Sequence, residues 1–190
     1  MSDNAEIEAI QAKAAVLVEA LPYVRRFRGS TFVVKYGGSF MDAPDPETRS
    51  RVARDIVFLN SVGIRVVVVH GGGKAITRTM NERGIESAFI DGLRVTDSQA
   101  IEIVDEVLNV DVNGEVAAFV EENDCKAERL PGKEVLQCVK LDSDPDLGFV
   151  GEITRVLVDS IDEALDNGKV PIISSTAADS SGVCHNVNAD

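Results

Sequence analysis

The stretch Ile64-Arg65-Val66-Val67-Val68-Val69-His70-Gly71-Gly72-Gly73 decides the fold class. From Ile64 to Val69 it is aliphatic but for Arg65, with none of the apolar–polar alternation of a half-buried strand. Such a run reads as a strand buried on both faces, the environment that a parallel sheet offers. The triple glycine follows at once, and Lys74 to Arg83 reads as a helix ended by Gly84. Strand, glycine loop and helix together are the opening of a βαβ unit.

The rhythm continues outward. Thr31 to Tyr36 is β-rich and ends at Gly37-Gly38, a second strand entering a tight loop. Before it, Glu6 to Phe27 carries Ile10, Ala14, Leu17, Val18 and Leu21 at three- and four-residue steps, which predicts a helix. Asp45-Pro46 supplies an N-cap and a proline in the first turn of a helix that reaches about Val62 and stops at Gly63. Downstream, Thr96 and Gln99 have the spacing of a capping box and open a long helix through Ile101, Val104 and Leu108 towards Glu122. Val135 to Val139 and Ile153 to Val158 read as strands. Ser160 and Glu163 suggest a second capping box for a short helix closed by Gly168. Val170 to Ser174 is another buried-strand candidate, and Asp179-Ser180-Ser181-Gly182 a hairpin turn. The expected fold class is α/β: a mostly parallel central sheet sandwiched between helices in three αβα layers, with ligands at the carboxyl ends of the strands.

At roughly 150 residues per domain, the 190 residues make one domain with some excess, or a piece of something larger. The chain is 44% apolar and 27% charged, which excludes a disordered tail. Nineteen basic against 32 acidic residues leave a net charge of −13, disfavouring a nonspecific hold on nucleic acid or an anionic membrane. Cys125, Cys138 and Cys184 are odd in number, widely spaced and free of any C-x-x-C pair, so they read as reduced thiols in or near the core. The acidic N-terminus lacks the layout of a signal peptide, and the longest apolar run, Val66 to Val69, is strand-sized. A cytoplasmic location is the expectation.

Two glycine loops, Tyr36-Gly37-Gly38-Ser39 and His70-Gly71-Gly72-Gly73, stand directly after strands. Glycines let a backbone approach a phosphate closely, and N–H groups at a helix start favour anions. Neither loop fits the dinucleotide fingerprint or the Walker-type pattern, and each taken singly is equally a tight turn. Lys35, inside a strand between Val34 and Tyr36, needs an anionic partner if its ammonium is enclosed. Phosphoryl transfer uses such cations for the charge on the transferring group. Arg94, in the loop Asp91-Gly92-Leu93-Arg94-Val95-Thr96, has a planar fork that grips a carboxylate in two places; the alternative is a surface ion pair. Asn186-Val187-Asn188-Ala189-Asp190 offers two amides and a carboxylate in five residues, or a plain turn or cap. His70 and His185 are too unaccompanied for a metal site, so no metal ligand is assigned.

Lys35-Tyr36-Gly37-Gly38, His70-Gly71-Gly72-Gly73, Asp91 to Thr96 and Asn186 to Asp190 occur in the order seen in the amino acid kinase family. The sequence resembles that family from about Leu21 onward. The Gly-Leu-Arg-Val-Thr and Asn-Val-Asn-Ala-Asp segments, with Leu147 to Glu152 and Val170 to Ile173, are similar to its acetylglutamate-phosphorylating branch. The resemblance implies transfer of the ATP γ-phosphoryl group to the side-chain carboxylate of N-acetyl-L-glutamate, the second step of arginine biosynthesis, with Mg²⁺ held mainly by the nucleotide. It implies catalytic roles for Lys35 and Asp190, substrate binding by Gly72, Gly73, Arg94 and Asn186, and nucleotide-phosphate contact by Gly38. Its division of the chain would be a helical extension over 1–30, an acetylglutamate-binding and dimerisation lobe over 31–174, and a hairpin opening the nucleotide lobe over 175–190. Most of that nucleotide lobe would lie beyond Asp190. A homodimer is implied, or a hexamer through the N-terminal helix; a helix packed on its own domain is the alternative. Lys74 stands where many members have proline, either adding attraction for an anion or simply facing solvent. Two other functions stay open at this point: a sibling kinase acting on another carboxylate, carbamate or nucleotide, and a nonenzymatic acetylglutamate-binding module.

Overall fold

Four parallel strands carry the molecule, and the chain visits them in βαβ fashion. The structure, a computed structural model, describes residues 2–38 and 45–190; Ser39 of the first glycine loop lies outside the described residues. In chain order, α1 (Ser2–Phe27) leads to β1 (Thr31–Tyr36), α2 (Pro46–Ser61), β2 (Arg65–His70), α3 (Gly73–Glu82), and the two-residue strands β3 (Phe89–Ile90) and β4 (Leu93–Arg94). Then come α4 (Ser98–Glu106), a π-helical turn over Val107–Val112, α5 (Asn113–Glu121), β5 (Ala127–Leu130), α6 (Gly132–Val135), β6 (Leu136–Lys140) and β7 (Gly151–Val156). The last elements are α7 (Asp159–Asp166), β8 (Val170–Ser174), β9 (Thr176–Ala178) and β10 (Cys184–Asn186).

The main sheet has the order β1-β2-β8-β5, all parallel, with Tyr36 beside His70 and His70 beside Ser174. The aliphatic run of β2 is buried on both sides, as its sequence predicts. Val66 and Val68 pack with Ile56 of α2, Met80 of α3 and Val104 of α4, whereas Val67 joins Leu136, Ile161 and Leu165 on the other face. Each such side chain, taken fully out of water, contributes about 1.5–3 kcal/mol. The result is a three-layer α/β arrangement with a parallel central sheet flanked by helices. A second sheet, β10-β9-β6-β7, closes the far side, and β9 and β10 form the hairpin expected around Asp179. Asp179 Oδ1 accepts from the N–H of Ser181 and of Val183, which tightens that turn.

Local signals hold in part. Asp45 caps α2 by accepting from the N–H groups of Glu47 and Thr48, both at 3.1 Å. The capping box expected at Thr96 is a correction: Asp97 is the cap, accepting from Gln99 N at 3.0 Å and Ala100 N at 2.8 Å. Thr96 is unavailable because its backbone bonds to Leu147 and Phe149 and its hydroxyl donates to Arg94 O. The box at Ser160 is also corrected, since α7 begins one residue earlier and its cap position, Val158, offers no side-chain bond. The long helix towards Glu122 is interrupted by the π turn, where the Asn113 N–H reaches back five residues to Leu108 O. That turn presses Leu108 and Val112 against Gly72; a Cβ there would stand 2.6 Å from Leu108 Cδ2.

All three cysteines are free thiols, with Cys125 and Cys138 buried and Cys184 partly so. Burial, with Asp105 nearby, pushes the Cys184 thiol up to about 12. The apolar stripe of α1 stands in solvent rather than on its own domain, with Leu17 and Val18 each 69% exposed. Among the described residues no helix is long and apolar enough to cross a membrane.

Candidate functional site

Adjacent parallel strands deliver two glycine loops to the same carboxyl end of the sheet, because β1 and β2 end in register at Tyr36 and His70. The loops border a cleft of about 270 Å³, just below the usual range for small-ligand pockets. Lys35, Gly38, Gly72, Gly73, Arg94 and Asn186 all line it. Asp190, the seventh residue singled out by sequence, is joined to them through an ion pair between its Oδ1 and Lys35 Nζ.

The chain after β10 explains that pairing. Asn186 ends the strand, its side-chain amide donating to Thr96 Oγ1 at 3.4 Å. Val187 is buried and its N–H donates to Ser175 O, which anchors the segment across the end of β8. Asn188 Oδ1 then accepts from the Asp190 N–H at 3.2 Å, turning the aspartate back over Lys35. Lys35 remains 43% exposed at its side chain, open to the cleft.

Arg94 differs from its sequence reading. It was expected in a loop, but it lies in β4, paired with Phe89 of β3, and is only 5% exposed. Its Nη2 donates to Gly73 O at 2.7 Å and Thr77 Oγ1 at 2.8 Å, and its Nη1 to Ser87 Oγ at 2.7 Å. The guanidinium also lies over the Phe89 ring, 4.6 Å from its centroid. Burial lowers its pKa, and no described carboxylate makes an ion pair with it. The surface ion pair is therefore excluded for Arg94 among the described residues. A buried cation without a carboxylate partner is poised to receive an anion.

The second glycine loop adds donors. Gly72 holds the N-cap position of α3 with no side-chain cap, so the first N–H groups of this ten-residue helix are left for an anion. Gly73 faces open space. Lys74 is exposed on the first turn of α3. The cleft is thus locally cationic within a chain of net charge −13. Among the described residues no group of three or more His, Cys, Asp or Glu could hold a metal ion.

Sequence reasoning missed the groups that hold Arg94 in place: Thr77, Ser87 and Phe89. Thr77 lies one helical turn beyond Gly73, a spacing that hints at a shared face; Ser87 and Phe89 carried no signal. His70 is fully buried beneath the loop and His185 nearly so, its Nε2 3.3 Å from Asp179 Oδ2. Neither histidine lines the cleft.

The chain is 45% identical over 184 residues to the acetylglutamate kinase of Synechocystis, covering 96% of this chain and 61% of that protein. It is 43% identical over 181 residues to the acetylglutamate kinase of Thermoanaerobacter sp. strain X514, covering 94% of this chain and 60% of the other. It spans about three-fifths of the length of these relatives. Among solved structures, smu.665 from Streptococcus mutans superposes with a TM-score of 0.74 at 28% identity, over 84% of this chain and 64% of that one. The model of the amino acid kinase family matches residues 30–190, a span that begins just before β1 and takes in both glycine loops, Arg94 and Asp190. By that match, and by the strand-end cleft in which those motifs meet, the chain belongs to the amino acid kinase family.

Proposed function

We propose that the cleft binds N-acetyl-L-glutamate and serves transfer of the ATP γ-phosphoryl group to its side-chain carboxylate, giving N-acetylglutamyl 5-phosphate and ADP. The observation that carries this reading is Arg94: a buried guanidinium with no carboxylate partner among the described residues, facing the same cleft as Lys35 and the Gly72-Gly73 turn. The names of the relatives support acetylglutamate as the acceptor.

In this reading Arg94 and Asn186 hold the α-carboxylate and acetamido end of the substrate. The Gly72 and Gly73 N–H groups face the reacting carboxylate and the γ-phosphate. A carboxylate oxygen attacks phosphorus as the bond to the ADP oxygen breaks. No base is needed, because the carboxylate is already ionised at pH 7. Lys35 compensates the charge that spreads over the phosphoryl oxygens, Gly38 touches the phosphates through its backbone, and Asp190 orients Lys35. Mg²⁺ would be held mainly by the nucleotide phosphates, where it would offset their charge. Residues 31–174 form the acetylglutamate lobe and 175–190 the hairpin leading to the nucleotide side, with the unmatched two-fifths of the relatives supplying most nucleotide contacts. The uncovered stripe of α1 supports self-association, as a dimer or a hexamer, and the three free thiols support a cytoplasmic setting. The step belongs to arginine biosynthesis.

Calorimetry on this chain tests the division of labour. The expected result is weak acetylglutamate binding, poorer ATP binding and negligible turnover. Robust kinase activity from these 190 residues would overturn it.

A further inference from the structure

A chain of hydrogen bonds with only one possible direction runs beneath the cleft. Arg129 donates from Nε to Asn113 Oδ1 at 3.2 Å, and arginine has no acceptor to offer in return. Asn113 Nδ2 donates to Ile172 O at 2.9 Å and lies 3.2 Å from His70 Nε2. With the amide oriented by Arg129 and the Ile172 carbonyl, Nε2 can only accept. The other ring nitrogen, Nδ1, lies 3.0 Å from Gly71 O, a pure acceptor, and so must carry the proton. The full burial of His70, which holds the ring neutral, agrees with this assignment.

The Gly71–Gly72 peptide is trans, since the only cis bond among the described residues is Asp144–Pro145. Its C=O and N–H therefore point in opposite directions. The Gly71 carbonyl is drawn towards a side chain with no exposure, so the Gly72 N–H points away from the interior, where Gly72 borders the cleft. Gly72 is also packed against Leu108 and Val112, which keeps the peptide from drifting. We propose that His70 is a positioning residue for the cleft: as the Nδ1–H tautomer set by Arg129 through Asn113, it aims the Gly72 N–H at a bound anion. This rests on the reading that the Gly72-Gly73 turn faces an anionic group of acetylglutamate.

Two variants separate this role from mere packing. His70→Asn keeps a donor where Nδ1 stands and gives up the contact with Asn113. His70→Gln keeps an acceptor where Nε2 stands and gives up the bond to Gly71. Both lose one buried hydrogen bond, so both should melt lower by similar amounts. Acetylglutamate affinity should stay within about threefold of wild type in His70→Asn and fall about tenfold in His70→Gln, a change of one hydrogen bond. In the ligand-free chain, long-range ¹H–¹⁵N correlation should show His70 as the neutral Nδ1–H form at pH 7, with the Gly72 amide exchanging freely with water. An Nε2–H or charged ring, a protected Gly72 amide, or equal affinity loss in both variants would overturn the proposal. If wild type ignores acetylglutamate while the tautomer and the Gly72 amide are as stated, the positioning role stands and the substrate reading falls.

Discussion

Replacing Arg94 with methionine separates what the guanidinium does for the fold from what it does for a ligand. Three strong bonds disappear, to Gly73 O, Thr77 Oγ1 and Ser87 Oγ. None of those groups is stranded, however. Thr77 Oγ1 still donates to Gly73 O at 2.9 Å, and Ser87 Oγ still donates to Met80 Sδ at 3.3 Å. The methionine chain fills much of the same volume over Phe89 and removes a cation that is enclosed without a described carboxylate. Replacing buried ionic groups by apolar ones of similar volume is often neutral, or stabilising by about 1–4 kcal/mol. At about 2–4 °C per kcal/mol for a chain of this size, Arg94→Met should melt at or a few degrees above wild type. Binding should respond in the opposite sense. With both Nη groups already engaged, a charge-assisted contact through Nε–H is lost, about 1.5–3 kcal/mol or roughly 10- to 100-fold in affinity. Scanning calorimetry and an acetylglutamate titration on the same preparation read both quantities. A melting point lowered by more than about 4 °C, with acetylglutamate affinity intact, would make Arg94 a structural residue and refute this reasoning.

Gly72→Ala must push its Cβ into Leu108 and Val112, costing about 1–3 kcal/mol of overpacking, whereas Gly73→Ala meets open space and should leave the urea midpoint unchanged. In any length of this protein that turns over, Lys35→Ala should lower kcat about 100-fold with a smaller change in KM; an unchanged kcat would remove its charge-stabilising role. His70 makes stability pH-dependent, because burial holds its folded pKa below the ordinary 6.5 and the unfolded chain therefore takes the proton first. Stability should be flat above that value and decline as pH falls through it, by up to about 1.4 kcal/mol per pH unit until the folded ring titrates. Urea unfolding between pH 7.5 and 5.5 checks this, and His70→Asn should abolish the slope. The carboxylates with lowered pKa, exposed Asp45, Glu106 and Asp146 and half-buried Asp179, lose their contribution only at more acidic pH.

The strands that carry the cleft were legible because their chemistry is local. Thr31 to Tyr36 begins and ends as its β-rich run and following glycines predict, and the aliphatic run of β2 needs no partner to be recognised. β5 was missed because Ala127-Glu128-Arg129-Leu130 has neither β-branched residues nor an unbroken apolar face. Its charges are answered from afar, Glu128 by Lys169 and Arg129 by Asn113 and carbonyls of the π turn. The capping boxes failed where a neighbour competed: Asp97 supplied the cap while loop 147–149 claimed Thr96. The site residues were found as motifs, yet the burial of Arg94 and the bonds that orient it come from Thr77, Ser87 and Phe89, whose spacing follows no secondary-structure period. The line from Arg129 through Asn113 to His70 joins β5, α5 and β2, and no sequence pattern links residues so far apart.

The most direct test of the account is a titration of ¹⁵N-labelled chain with N-acetyl-L-glutamate, with L-glutamate as control. The proposed site requires the Arg94 Nε–H signal, the Gly72 and Gly73 amides and the Asn186 side-chain amide to shift together and saturate at one affinity, with glutamate markedly weaker. Shifts absent from these four positions, or equal responses to both ligands, would contradict it.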